Sequence, residues 1–266
     1  MIRLICADVD GTLVGADGSV HPEVWPAVAR VREAGIRLAI CSGRPAFGLT
    51  RDYAERFDPH GWHIFQNGSS VMHFGTAETR SARLTPETVK RLVKFSRLTG
   101  RDLELYSDHS YAVESVSERV RAHAALLGTP FVPRPLDSVI EPVVRGQWLL
   151  PREEGMEMLS RIPPGFEVSP STSPLMTDTL FVSLMPPGVN KGTGVSAIAD
   201  AYGIRLDRVM FVGDGWNDAP ALRLVGYPVA MENAEPEARE IARHFVGHVD
   251  DGGLAEALDL AVSLRE

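Results

Sequence analysis

The chain has 266 residues, 44% hydrophobic and 23% charged, which excludes a disordered polymer or a bundle of membrane spans and, at roughly 100 to 200 residues per domain, sits between one domain and two. A formal charge of -8 argues against a generic nucleic-acid binder, whose affinity rests on clustered Lys and Arg, but leaves room for a small anionic ligand. No apolar run approaches the roughly 18 residues of a membrane span, Asp8 falls where a signal peptide would be apolar, and Cys6 and Cys41 make no disulfide framework, so the expectation is a cytoplasmic protein without membrane contact.

The apolar run 2–7 predicts a strand delivering two carboxylates to the turn Asp8-Val9-Asp10-Gly11-Thr12. Val24, Trp25, Val28 and Val31 then recur at helical spacing within 22–32, and Gly35 marks a stop. A second apolar run, 36–41, ends in Ser42-Gly43-Arg44-Pro45. Strand, helix, strand with polar loops after both strands is the grammar of a parallel sheet. From Leu84 to Met185 the texture changes to helices over 86–98 and 117–127, an alternating run at 103–106, and turns at Pro130, Pro133, Pro135, Pro163 and Pro164. The economical reading is an α+β module, residues 84–186, inserted into an α/β core of residues 1–83 and 187–266 with a Rossmann-like parallel sheet.

Lys191 opens a helix to Tyr202, and a buried strand at 209–212 runs into Gly213-Asp214-Gly215-Trp216-Asn217-Asp218. A strand at 228–231, a helix at 235–243, a strand at 245–247 and a helix at 254–264 complete the pattern. Ligands of open parallel sheets bind beyond the carboxyl ends of strands, where these polar clusters fall. Together they supply carboxylates (Asp8, Asp10, Asp214, Asp218), a hydroxyl (Ser42) and an ammonium (Lys191). Carboxylate oxygens suit Mg²⁺, which shares its shell with substrate phosphate, and the cation and hydroxyl suit the remaining phosphate oxygens. That inventory matches phosphoryl transfer, in which catalysis is mostly positioning and charge neutralisation.

Asp8-x-Asp10-Gly-Thr, Cys-Ser42-Gly-Arg, Asn190-Lys191-Gly and Gly-Asp214-x-x-Asn217-Asp218 resemble, in order, the four motifs of the haloacid dehalogenase superfamily. Gln66-Asn67-Gly68, Gly188-Val189-Asn190-Lys191-Gly192 and Val229-Ala230-Met231-Glu232-Asn233-Ala234 extend the likeness to its Cof-type branch (type IIB, C2 cap). The motifs cover residues 1–82 and 187–266; the insert matches a cap by position and size. The resemblance implies a phosphatase with Asp8 as nucleophile and Asp10 as general acid and base. It also implies Mg²⁺ held by Asp8, the Asp10 backbone carbonyl and Asp214, with Asn217 and Asp218 beside it. Ser42, Gly43, Arg44, Lys191 and Asn217 would contact a small phosphorylated metabolite, most plausibly a sugar phosphate. A phosphomutase and a non-catalytic phospho-ligand sensor stay open as alternatives, and the oligomeric state is unspecified. Trp216 is bulkier than the pattern, and Glu232 stands where the branch often has Gly.

Plainer readings exist for several residues. Asp-x-Asp-Gly could be only a turn, but as a calcium loop it fails, because the sixth position is Leu13 and the twelfth Ser19. A cation is disfavoured at a helix N-terminus, which favours a functional Lys191. His60 and His63 read as a loop or structural pair, Cys6 and Cys41 as small buried hydrophobes, and Met156, Met158 and Leu159 as core packing.

Overall fold

A computed structural model describes residues 1–139, 141–162, 164–173 and 175–264. Pro163 and the Met156 side chain lie outside the described residues. The first stretch contains β1 (Leu4–Ala7), α1 (Val24–Glu33), β2 (Arg37–Ile40), α2 (Leu49–Phe57) and the hairpin β3 (Trp62–Phe65) with β4 (Ser70–His73). The middle contains α3 (Pro86–Thr99), β5 (Asp102–Tyr106), β6 (Tyr111–Val113), α4 (Glu118–Leu126), β7 (Arg145–Pro151), α5 (Arg152–Leu159), β8 (Glu167–Ser173) and β9 (Met176–Met185). The last stretch contains α6 (Lys191–Tyr202), β10 (Val209–Gly213), α7 (Ala219–Leu224), β11 (Tyr227–Met231), α8 (Pro236–Ile241), β12 (His244–Val246) and α9 (Gly253–Ser263).

A five-stranded parallel sheet in the order β12-β11-β10-β1-β2 forms the core, which makes the molecule an α/β protein. Helices cover this sheet, so β1 is buried along its whole length and reads in sequence as an unbroken apolar run. Ala7 lies between Ile40 and Val212, which brings the carboxyl ends of β2, β1 and β10 side by side. The loops after these strands carry Ser42, Asp8 and Asp214. The helix expected over 235–243 is shorter, because Ala242 turns extended and the Arg243 N–H donates to Pro228 O, feeding the chain into β12.

The second five-stranded sheet, β6-β5-β7-β9-β8, is antiparallel throughout. Its residues alternate between faces. Leu103, Leu105, Trp148, Leu150, Val182 and Leu184 pack in one apolar cluster with Leu92 and Val93 of α3. Glu104, Tyr106, Arg145, Gln147 and Ser183 fall at the alternate positions of the same strands, also buried. The two sheets meet through Arg145 Nη1, which donates to Gly43 O at 2.6 Å, and Gln66 Nε2, which donates to Ser107 O at 2.9 Å. Among the described residues no helix is long and apolar enough to cross a membrane.

Candidate active site

The site begins where β1 runs out. The Asp8 N–H donates to Val212 O at 2.9 Å, so the first carboxylate is fixed beside β10 before the chain turns. Gly11 makes that turn at φ +80°, and a Cβ there would stand 2.2 Å from Asp214 Oδ2. Glycine is therefore required twice, by backbone conformation and by the carboxylate pressed against it. Thr12 follows and donates its hydroxyl to Asp214 Oδ1 at 3.0 Å, coupling the first loop to the one after β10.

Lys191 is the first residue of α6. Asn190 caps that helix, accepting from the Thr193 N–H at 3.2 Å, and sends the lysine inward. Its ammonium is buried and lies 2.7 Å from Asp8 Oδ1 and 2.6 Å from Asp218 Oδ1. Burial alone would depress this lysine, but the Asp218 and Asp8 carboxylates outweigh it and hold the ammonium above its ordinary value. Asp218 Oδ2 accepts from the Asp214 and Gly215 N–H groups at 3.0 and 2.9 Å, so both oxygens of this carboxylate are engaged.

Asp8, Asp214 and Asp218 each offer an oxygen within 4.8 Å of the others. Burial and then the neighbouring Asp218 charge push Asp8 up to about 7, although Lys191 pulls it down. Burial and the Asp8 and Asp218 charges push Asp214 up to about 9. Three crowded carboxylates facing one ammonium are short of positive charge, and that shortage fits a hard divalent cation with oxygen ligands. Asp8 and Asp214 are the freer donors, since Asp218 is already committed.

The other residues singled out in the sequence divide into two groups. Asp10 turns away from the acidic cluster, and its carboxylate takes both Arg44 Nε, at 2.9 Å, and Arg44 Nη2. With the Asp10 side chain 54% exposed and that of Arg44 15%, the pair stands at the mouth of the site. Ser42 is buried, and its hydroxyl accepts from the Arg44 N–H at 3.0 Å. Asn217 Nδ2 donates to Asn67 Oδ1 at 3.3 Å.

A cavity of about 230 Å³ opens above the cluster, lined on the core side by Asp8, Asp10, Gly43, Arg44, Asp214 and Asn217 among others. Ser42 and Lys191 are not on its lining; Ser42 meets the Arg44 backbone and Lys191 meets Asp8. Trp216 is on the wall, whereas Glu232 is not.

Sequence reasoning gives no role to Thr12, although it is quoted within its motif. Gln66 and Asn67 both have positive φ, +53° and +55°, with their N–H groups on Arg44 O and Ser42 O. Left-handed backbone at consecutive non-glycine residues is strain held by its surroundings, and here it shapes the second-motif loop. Arg145 went unread because nothing local marks a strand residue whose partner lies about a hundred positions away. His63 is structural: its Nδ1 accepts from the Ile40 N–H at 3.2 Å, Nε2 lies 2.8 Å from Asp58 O, and burial lowers it to about 4. Burial raises both Cys6 and Cys41 above the ordinary thiol value, and both are free.

Known proteins resemble this chain in sequence and in fold. A phosphoglycolate phosphatase of Methanopyrus kandleri is 27% identical over 259 residues, covering 97% of this chain and 96% of its own. The 5-amino-6-(5-phospho-D-ribitylamino)uracil phosphatase YwtE of Bacillus subtilis is 22% identical over 287 residues, covering 98% and 99%. The crystal structure of a haloacid dehalogenase-like hydrolase from Bacteroides thetaiotaomicron superposes with a TM-score of 0.85 at 24% identity, covering 98% of this chain and 99% of that one. The sequence profile of the haloacid dehalogenase-like hydrolases matches residues 5–141 and 153–258. With most of its length matched, the chain belongs to the haloacid dehalogenase-like hydrolase family, in its Cof-type branch.

Proposed function

We propose that this protein is a phosphatase that hydrolyses a small phosphorylated metabolite, a sugar phosphate, through a phosphoryl group carried on Asp8. The observation that carries this reading is the buried line Asp8–Lys191–Asp218 beside Asp214: a carboxylate oriented by an ammonium, with a place for a cation next to it. The small cavity supports a small substrate, since pockets for drug-sized ligands span roughly 300 to 1,000 Å³. The two relatives, named for phosphoglycolate and for a phosphoribityl compound, support a small phosphorylated substrate, the second of them one with a sugar-derived chain.

Lys191 holds Asp8 through Oδ1, which orients the other oxygen for attack on phosphorus. The O–P bond to Asp8 forms as the bond to the leaving oxygen breaks, and Asp10 gives that oxygen its proton. Arg44 engages both Asp10 oxygens, so the pair must open and Asp10 must take up a proton, from solvent or from the incoming phosphate monoester, before it can hand one over, and an arriving phosphoryl group is a competing partner for the guanidinium. Asp10 then takes a proton from the water that cleaves the Asp8 phosphoryl bond, which regenerates the Asp8 carboxylate and the protonated Asp10 and releases phosphate. Asp8 and Asp214, with the Asp10 backbone and Asp218 alongside, would hold Mg²⁺. When bound, Mg²⁺ supplies positive charge to the phosphoryl oxygens. Residues 84–186 serve as a cap over this chemistry, and the two buried free thiols suit a reducing cytoplasm.

The test is phosphate release from a panel of esters with excess chelator, then with Mg²⁺ restored, in the wild-type protein and in Asp10→Asn. Activity should vanish with chelator and return with Mg²⁺. Asp10→Asn should lose about 100-fold or more on alkyl esters and much less on an aryl phosphate, whose leaving group needs little acid. Full activity in chelator would overturn the metal assignment, and equal losses on both ester types would overturn the role of Asp10.

A further inference from the structure

The cap side of the cavity is lined by residues that the chemistry at Asp8 does not use. Of the charged groups on the cavity wall, Asp8, Asp10, Asp214, Glu235 and Arg44 all belong to segments outside 84–186. From the cap, the ionisable groups on the lining are Arg145 and His123. They are joined by Gln147 and Ser183, polar residues of the same antiparallel sheet.

Arg145 is only 2% exposed. Its Nη1 donates to Gly43 O at 2.6 Å and lies 3.4 Å from Ser183 Oγ, and its Cζ stands 4.3 Å from the Tyr106 ring centroid. Its Nε has no hydrogen-bond partner among the described residues. The buried carboxylate on the same sheet face, Glu104, spends its oxygens elsewhere. It accepts from Tyr106 Oη at 2.5 Å and from Gln147 Nε2 at 3.3 Å, and it meets His123 Nδ1 at 3.0 Å. No ion pair joins Glu104 to Arg145 among the described residues. A guanidinium taken out of water without a carboxylate partner is costly, and an anion brought into the cavity relieves that cost. His123, with Nδ1 turned to Glu104, keeps Nε2 as its remaining polar atom.

We propose that the substrate's leaving group carries a second anionic group, a carboxylate or another phosphate, and that Arg145 receives it on the cap side of the cavity. The proposal rests on the reading of Asp8 as the phosphoryl acceptor. The reacting phosphate then lies against the core loops, and the second anion lies against the sheet above. Gln147, Ser183 and His123 supply hydrogen bonds around it, and the planar fork of Arg145 fixes its orientation. A neutral leaving group of the same size would leave the guanidinium unpaired. Discrimination thus comes from a buried polar group that only one substrate class satisfies.

The test has a kinetic arm and a binding arm. With Mg²⁺ present, kcat/KM is compared within two matched pairs, 3-phosphoglycerate against glycerol 3-phosphate and fructose 1,6-bisphosphate against fructose 6-phosphate. The wild-type protein should favour the acid-bearing member of at least one pair by about tenfold or more, and the pair that responds identifies carboxylate or phosphate. Arg145→Gln should lower kcat/KM for that member about 30-fold more than for its neutral counterpart, and Arg145→Lys should restore part of the ratio. Absence of preference in the wild type, or equal losses for both members in Arg145→Gln, would overturn the proposal. The binding arm measures, by calorimetry on wild-type protein, 3-phosphonopropionate against propylphosphonate, which are inert to hydrolysis and differ by a carboxylate in place of a methyl. Tighter binding of the first, or of the equally inert ethane-1,2-bisphosphonate if phosphate is the group read, supports the subsite; equal binding of all three overturns it. Failure to hydrolyse any ester would count against the phosphatase reading alone, because the binding arm still decides the subsite.

Discussion

The two five-stranded sheets bury polar groups in different ways. At the end of the parallel sheet, charge is answered by charge: Lys191 sits between Asp8 and Asp218, and Asp214 adds a carboxylate to a group that could hold a cation. On the inner face of the antiparallel sheet, hydrogen bonds do most of the work, with Tyr106, Gln147 and His123 gathered on Glu104. The difference teaches how labour is divided. Under the proposed function, fixed compensating charge at one place suits a phosphoryl group, and the Arg145 Nε left without a partner on the antiparallel sheet suits a leaving group.

The largest effect should come from breaking the charge balance. Lys191→Met leaves Asp8 and Asp218 buried without their ammonium, and removing one partner of a buried ion pair typically costs about 3 to 5 kcal/mol. Urea denaturation in metal-free buffer near neutral pH should show a loss of that size. A loss under about 1 kcal/mol would mean that these carboxylates do not depend on Lys191.

Next comes a titration in the core that involves no cation. His63 is buried and held to about 4, below its ordinary 6.5, so the unfolded chain takes up a proton that the folded imidazole refuses. Stability is therefore lost as pH falls from about 6.5 towards 4, at roughly 1.4 kcal/mol per unit. Measured as wild type minus His63→Gln, so that the carboxylates common to both cancel, the difference should shrink by about 2 kcal/mol between pH 6.5 and 5. A difference independent of pH would remove burial as the cause.

The smallest effect should fall in the apolar layer of the antiparallel sheet. Trp148 is fully buried in the apolar layer of the antiparallel sheet, and its Nε1–H donates to Ser96 Oγ at 2.7 Å. Ser96→Ala should cost about 1 kcal/mol, because the indole N–H loses its one hydrogen-bond partner. Phosphate release at 25 °C should change little, since Ser96 faces away from the cavity into the α3 layer. A large loss of turnover in a folded Ser96→Ala protein would mean that cap packing and chemistry are not separable.

The sequence was far more legible in one sheet than in the other, for the same physical reason. β1, β2 and β10 are buried on both faces, so their apolar runs stand out, and the residues after them fall at the sheet's carboxyl edge without further folding information. Asp8, Asp214, Asp218 and Lys191 could be gathered that way, the lysine by its anomalous place at a helix start. β7 was missed because Arg145 and Gln147 interrupt its apolar pattern, yet both are buried. Nothing local could show that a sheet face with Glu104 and Arg145 would be covered by the core. The Arg44–Asp10 pair was also out of reach, since two loops 34 residues apart must first be brought together by β1 and β2.

The central claim is that Asp8 carries the phosphoryl group. The most direct measurement is mass spectrometry of peptides from acid-quenched protein during turnover of an aryl phosphate with Mg²⁺, using Asp10→Asn to slow the hydrolytic half. The account predicts a gain of one phosphoryl group on the peptide containing Asp8, absent from Asp8→Asn, which should also lose at least about a thousandfold in turnover. Phosphate release from Asp8→Asn near the wild-type rate, or a phosphoryl group found on another residue, would contradict it.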